Sequence, residues 1–322
     1  MDILRQSYTY GCSPLTFTSR SVPYRVFLFG ENISQSLSPL IHGILFKSNN
    51  AVWSFDKAQT TDRSDFEARL AASDTIGTSI TMPNKVTFGT ALDSLTEEAR
   101  IIGAVNTSFV RVTSDGRRVH IGTNTDCVGI RVSILQRYPS AVSEGRGKAA
   151  MVVGGGGAAR SAIYALWKWF GPSEIYIANR LDSEVDNIVN YFRKAIPGIP
   201  LRHINSVQAA EQVPAPSIII GTVPDYPPTQ PGEVLCARIC DVILRKREKG
   251  LLVDMCYMPT TETKLLTTAK VQGWNTISGT EVLVRVCVAQ EILWAEEEPN
   301  ERGIQQALAA ISEKTKVQLS RL

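Results

Sequence analysis

Apolar residues follow two different rhythms along this chain, and the change comes near Lys148. Ahead of it, residues 24–30 (YRVFLFG) form an aromatic-rich run that stops at a glycine, which predicts a buried strand. Residues 39–48 carry Leu40, Ile41, Ile44 and Leu45 at helical spacing, with Pro39 suited to a first turn. A second strand is predicted at 52–55, a helix at 66–72, and a strand at 77–81 running into Met82-Pro83. Residues 104–112 and 118–122 predict a hairpin around Ser114-Asp115-Gly116. Beyond Lys148, strands are expected at 149–153, 174–178, 217–221, 250–254 and 275–278, with helices at 158–170 and 185–195 between them. Alternation of this kind builds a parallel sheet with helices on both faces. Segments 282–294 and 304–319 are helical in pattern, and there is no internal repeat or low-complexity linker.

At 322 residues the chain is long enough for two α/β domains, each with its own core. Composition excludes more than it suggests. Apolar residues at 43% and charged residues at 20% are ordinary for a soluble globular protein. A net charge of +3, not gathered in any long run, gives little support for a nucleic-acid partner. The run Arg245-Lys246-Arg247-Glu248-Lys249 is read as a solvated helix end or loop. No apolar run reaches the ~18 residues that span a membrane. Residues 1–24 are polar, lack the apolar centre of a secretory signal, and are expected to lie over the surface or be partly disordered, so a cytoplasmic protein is expected. Six cysteines without CxxC spacing read as reduced thiols. Cys236 and Cys240 could share a helix face, but nothing nearby completes a metal set, and no metal is expected. Cys127 is either close to the active site or a small buried residue.

The candidate chemistry lies in the order of the motifs. Lys85 closes Gly77-Thr78-Ser79-Ile80-Thr81-Met82-Pro83-Asn84-Lys85, and Asp126 closes Gly122-Thr123-Asn124-Thr125-Asp126. Gly103-Ala104-Val105-Asn106-Thr107 lies between them, and all three precede the loop Gly154, Gly155, Gly156, Gly157. A lysine, an amide and an aspartate ahead of a nucleotide loop are the layout of a dehydrogenase whose substrate domain leads the chain. Hydride transfer to nicotinamide needs a base near the oxidised hydroxyl, and a lysine oriented by a carboxylate can serve. A lone lysine would otherwise read as a surface residue. The glycine loop lies between a strand and a helix, where glycines let the backbone approach a pyrophosphate and the helix N-terminus receives it. Ala158 or Ala159 supplies the small residue that seats helix on strand. Asn179, Arg180 and Asp182 follow the next strand, where a dinucleotide fold meets the adenosine ribose. Arg180 could stack on adenine or meet a 2′-phosphate; Asp182 and Glu184 would repel one, and Asp182 or Ser183 could also be a helix cap.

These motifs, with Ser36-Leu37-Ser38-Pro39, His42, and Tyr257 with Pro259, resemble the shikimate/quinate dehydrogenase family over residues 24–294, nearest its NAD-dependent quinate-oxidising branch of fungal type. The resemblance implies a substrate domain at 24–125, a Rossmann-type NAD(P) domain at 126–282, and helices from 283–322 packing back on the first, with a cleft between the domains and 1–23 as an extension. It implies a small ring acid, quinate or shikimate, as substrate, and a monomer or homodimer. Lys85 and Asp126 would be the catalytic pair. Ser36 and Ser38 would hold the carboxylate, with Tyr257 on that side, while Thr81 and Asn106 bind ring hydroxyls. Thr222, Val223 and Gly279 would line the nicotinamide. Without the family, Ser36 and Ser38 could be helix caps, and His42 a structural residue. Two departures stand out. Where NADP-using members carry Thr and a basic residue after Asn-Arg, this chain has Leu181 and Glu184, which favours NAD while NADP stays open. Where the family places a substrate-binding glutamine, this chain has Val286; Gln290, one turn later, is expected to take over part of that contact.

Overall fold

The computed structural model describes residues 2–319. The fold is mixed α/β in two compact units. One holds the chain up to Thr125 and again from Val284 onward; the other is Asp126–Leu283.

The first unit is built on β1 (Arg25–Gly30), β2 (Ser54–Gln59), β3 (Thr75–Ile80), β4 (Ser94–Leu95), β5 (Thr107–Val112) and β6 (Arg118–Thr123). Their order in the sheet is β2-β1-β3-β5-β6-β4. β1 is parallel to β2 and β3, while β5 runs antiparallel to β3 and β6. β1 is buried on both faces, so its residues divide by alternation. Val26 and Leu28 join Trp53, Phe55, Ile76, Phe109 and Trp294. Phe27 and Phe29 join Phe66, Leu70, Ile80 and Phe88 on the other side. β2 extends past the apolar residues that announced it, out to Gln59, because its extent follows its pairing with β1.

Trp294 comes from the helix Gly279–Ala295 and donates its indole N–H to Ser108 O at 2.8 Å. It lies so close to β3 that a methyl group on Gly77 would meet Trp294 Nε1 at 2.2 Å. Gly77→Ala is therefore expected to cost about 2 kcal/mol or more by overpacking and displacement of the indole. Denaturant unfolding with an unchanged m-value would measure it.

The N-terminal segment is more than a surface layer. It forms a helix, Asp2–Ser7, and a 3-10 turn, Tyr8–Tyr10, and Cys12 then exchanges two backbone hydrogen bonds with Val112. Arg111, buried on β5, donates to Ser7 Oγ and pairs with Glu296 at 3.0 Å, while the Tyr8 hydroxyl donates to Glu296 at 2.8 Å. A buried guanidinium without these partners would be costly.

The second unit contains β7 (Ala149–Val153), β8 (Glu174–Ala178), β9 (Leu201–His203), β10 (Ile218–Gly221), β11 (Leu251–Asp254) and β12 (Asn275–Ile277). Every pairing is parallel, in the order β12-β11-β10-β7-β8-β9. This is a Rossmann-type sheet. Strand order reverses between β7 and β10, so the loops leaving these strands are where such a sheet receives a ligand. Among the described residues no helix is long and apolar enough to cross a membrane.

Candidate active site

In the first unit, β1, β3 and β6 end, and β5 begins, at one edge of the sheet, as the pairs Phe29 with Ile80 and Thr107 with Thr123 require. Most of the expected substrate residues gather there. After β3 the chain turns through Thr81, whose N–H donates to Phe29 O at 2.8 Å. Asn84 closes the turn, accepting from Phe88 N at 3.0 Å and reaching Thr60 O with its amide at 2.8 Å. Val105 N then donates to Lys85 O at 2.7 Å. Backbone bonds thus clamp the half-buried Lys85 beside the segment that carries Asn106. Asn106 is buried, and its Oδ1 accepts from Thr125 N at 2.7 Å and from Thr107 Oγ1 at 2.9 Å. After β1, the 3-10 turn Ile33–Gln35 leads into the helix Ser38–Ser48. Ser36 Oγ accepts from Ser38 N at 3.3 Å, while the N-cap position is Leu37, so neither serine caps the helix start.

Gln290 is the correction on this side. It was expected to face the substrate in place of the missing glutamine. Instead it is buried, with Oε1 3.0 Å from His42 Nε2 and Nε2 donating to Ser79 Oγ at 3.1 Å and Thr107 Oγ1 at 2.9 Å. Its acceptor and both its donors are used inside the protein. Val286, at the family's glutamine position, is buried. His42 is structural in character: it stacks on Phe55 at 4.4 Å, and burial pushes its pKa down to about 3.

In the second unit, Asp126 opens the helix Asp126–Arg137, a favourable place for a carboxylate. The glycine loop has distinct demands at each position. Gly154 has φ +128°, and a Cβ there would meet Thr222 Oγ1 at 2.2 Å. That hydroxyl is held in turn by Val153 O at 2.8 Å. A Cβ on Gly155 would strike Asn179 Nδ2 and Glu184 Oε2. Gly156, preceding the helix Gly157–Ala165, has open space in front of it, and no acidic residue stands in the first turn. An open glycine at an acid-free helix N-terminus fits a pyrophosphate, with Ala158 seated in that turn. Val223 follows Thr222, and Gly279 packs so tightly on the chain after β11 that a Cβ would lie 2.4 Å from Cys256 O.

At the end of β8, Asn179 Nδ2 donates to Glu184 at 2.6 Å and to Leu181 O at 3.1 Å. Arg180 pairs with Glu233 at 2.9 Å. Asp182 is the first residue of its helix and no cap; it stands 3.5 Å from His203 Nε2. The expected adenosine contacts are thus ringed by carboxylates. Tyr257 is half-buried in the loop after β11. That loop is anchored by a residue the sequence reading passed over. Asp254, ending the otherwise apolar strand LLVD, accepts from Cys256 N at 3.1 Å and from the Thr263 hydroxyl, and burial raises its pKa to about 6. A lone acid at the end of a buried strand was the signal available.

Residues 28–108 match the family model for the shikimate dehydrogenase substrate binding domain. The chain is 35% identical over 284 residues to the quinate dehydrogenase of Emericella nidulans, covering 83% of this chain and 86% of that protein. Among solved structures, the dehydroquinate dehydratase and shikimate dehydrogenase from S. pombe AroM matches with TM-score 0.71 and 27% identity, over 89% of this chain and 53% of that one. The quinate dehydrogenase of Corynebacterium glutamicum in complex with NAD matches in fold, with TM-score 0.72 and 22% identity, over 89% and 99% of the two chains.

Proposed function

Since the chain belongs to the shikimate/quinate dehydrogenase family, we propose that it oxidises a ring hydroxyl of quinate to give 3-dehydroquinate, or of shikimate to give 3-dehydroshikimate, reversibly and with NAD. The observation that carries this reading is the backbone clamp Val105 N to Lys85 O at 2.7 Å, which fixes a lysine beside the buried amide of Asn106. Bound NAD would supply the acceptor for the hydride leaving the ring carbon. Lys85 takes the proton of the same hydroxyl as the carbonyl forms, and Asp126 is the second catalytic residue. Ser36, Ser38 and Tyr257 hold the carboxylate, and Thr81 and Asn106 orient the remaining hydroxyls. The open glycine loop and the helix behind it hold the pyrophosphate; Asn179 and the acids near it suit a free ribose hydroxyl.

A second reading concerns the ring acid. With Val286 buried and Gln290 bonded internally, one hydrogen bond to the ring is lost relative to the family pattern, commonly worth ~1 kcal/mol. This favours a ring acid that lacks, or turns away, the corresponding hydroxyl. Initial rates for quinate and shikimate, each with NAD and NADP, separate the possibilities. Quinate with NAD is expected to be fastest. No turnover in any of the four combinations would overturn the reading.

A further inference from the structure

The group around Gln290 continues away from Asn106 into the core. Beyond His42 lies Glu291, fully buried, with Oε2 3.7 Å from His42 Nδ1 and Oε1 accepting from Asn49 Nδ2 at 3.3 Å. Among the described residues, His42 Nδ1 and Glu291 Oε2 are the atoms of this group without a hydrogen-bond partner. They face each other.

The direction of the chain follows from one fixed donor. Thr125 N–H can only donate, so the Asn106 atom it meets at 2.7 Å is the oxygen. Thr107 Oγ1 lies 2.9 Å from that oxygen and 2.9 Å from Thr125 Oγ1; its one proton serves this side, leaving a lone pair to accept from Gln290 Nε2. Gln290 therefore turns Oε1 towards His42, whose Nε2 must carry the proton. Burial keeps the imidazole neutral, so His42 Nδ1 is left as an acceptor, and the group opposite it, 3.7 Å away, is Glu291 Oε2.

We propose that Glu291, His42 and Gln290 form a buried positioning relay, with Glu291 as its protonated end, that fixes the Asn106 amide towards the substrate. The proposal rests on the reading that Asn106 binds the ring acid. The groups facing Glu291 agree with a neutral carboxyl. His42 is on the helix Ser38–Ser48, and burial pushes its pKa down to about 3. Burial dominates and raises Glu291 to about 8, against the Asn49 amide that donates to it and Arg20 on the turn Ser19–Ser21, both of which draw the carboxyl pKa down. The carboxyl thus holds its proton at neutral pH and loses it as pH rises through about 8. Above that the relay lacks its terminal donor.

Glu291→Gln supplies an N–H donor that does not titrate, and Glu291→Met supplies none. The wild-type KM for the ring acid is expected to rise about fivefold, relative to Glu291→Gln, between pH 7 and pH 9.5, the effect of one weakened hydrogen bond. Glu291→Met should show the raised KM already at pH 7, with kcat changed less. Parallel pH profiles for wild type and Glu291→Gln would overturn the relay. Nitrogen chemical shifts of His42 provide a readout independent of turnover. With three histidines in the chain, His120→Asn and His203→Asn variants assign its signals. The Nε2–H tautomer is expected at pH 7; Nδ1–H would overturn a protonated Glu291. Folded Glu291 binds a proton that the unfolded chain releases between pH 4.5 and about 8. Stability of the wild type should therefore fall relative to Glu291→Gln across that window. Should no ring acid be turned over, the functional reading falls, while tautomer and stability still decide the relay.

Discussion

Replacing Lys85 with methionine is expected to lower turnover by roughly 10²–10⁴-fold, the usual contribution of a positioned proton acceptor. Methionine keeps the length and apolar stem of lysine and removes only the amine. The bond that fixes this position, Val105 N to Lys85 O, belongs to the backbone and survives the substitution. The melting temperature should stay within a degree or two. The glycine loop is untouched, so NADH titration followed by fluorescence should give a near-normal Kd. Retention of most of the turnover would remove Lys85 from the chemistry, whatever became of binding.

The largest change in specificity is expected from Leu181→Thr with Glu184→Arg. Glu184 presents a carboxylate against Gly155 and accepts from Asn179 at 2.6 Å. Glu233 holds Arg180 in an ion pair, and its carboxyl is drawn down to about 2 by the N–H groups of Thr229 and Gln230 and by Arg180, so the acid stays charged. A 2′-phosphate would meet this acidic ring, whereas a ribose hydroxyl can donate to it. The double substitution removes one repulsion and adds a charge-assisted donor, together roughly 3 kcal/mol, or about a hundredfold in the NADP-to-NAD ratio of kcat/KM. An unchanged ratio would mean that the cofactor's adenosine end lies elsewhere.

How far the sequence carried depends on how local each signal was. β7 and β8 were legible to the residue, because AAMVV, and IYIA after the opening Glu174, are apolar runs with abrupt ends. β4, two residues long, and β9, three residues with an exposed Arg202, carry no periodicity and exist through pairing with β6 and β8. The clustering of Thr81, Lys85 and Asn106 could be read because each sits in a motif next to a strand end. Gln290 could not be read correctly. Its helix face suggested the substrate, but the deciding partner, His42, lies 248 positions away. Glu291 was passed over for the same reason: an acid in a helix is ordinarily solvated, and nothing nearby in sequence announces that Asn49 and His42 enclose it.

The discontinuity of the first unit has a consequence for biosynthesis. Its core cluster takes Val26 and Leu28 from near the start of the chain, and Leu293, Trp294 and Ala295 from near the end. The second unit is one uninterrupted stretch, Asp126–Leu283. On a ribosome adding roughly 5–20 residues per second, the strands of the first unit wait about 10–30 s with one sheet face uncovered. The later-encoded unit can finish folding first. A chaperone that shields apolar strands would therefore find its client among the earliest residues made, and a stalled or truncated chain would expose them indefinitely.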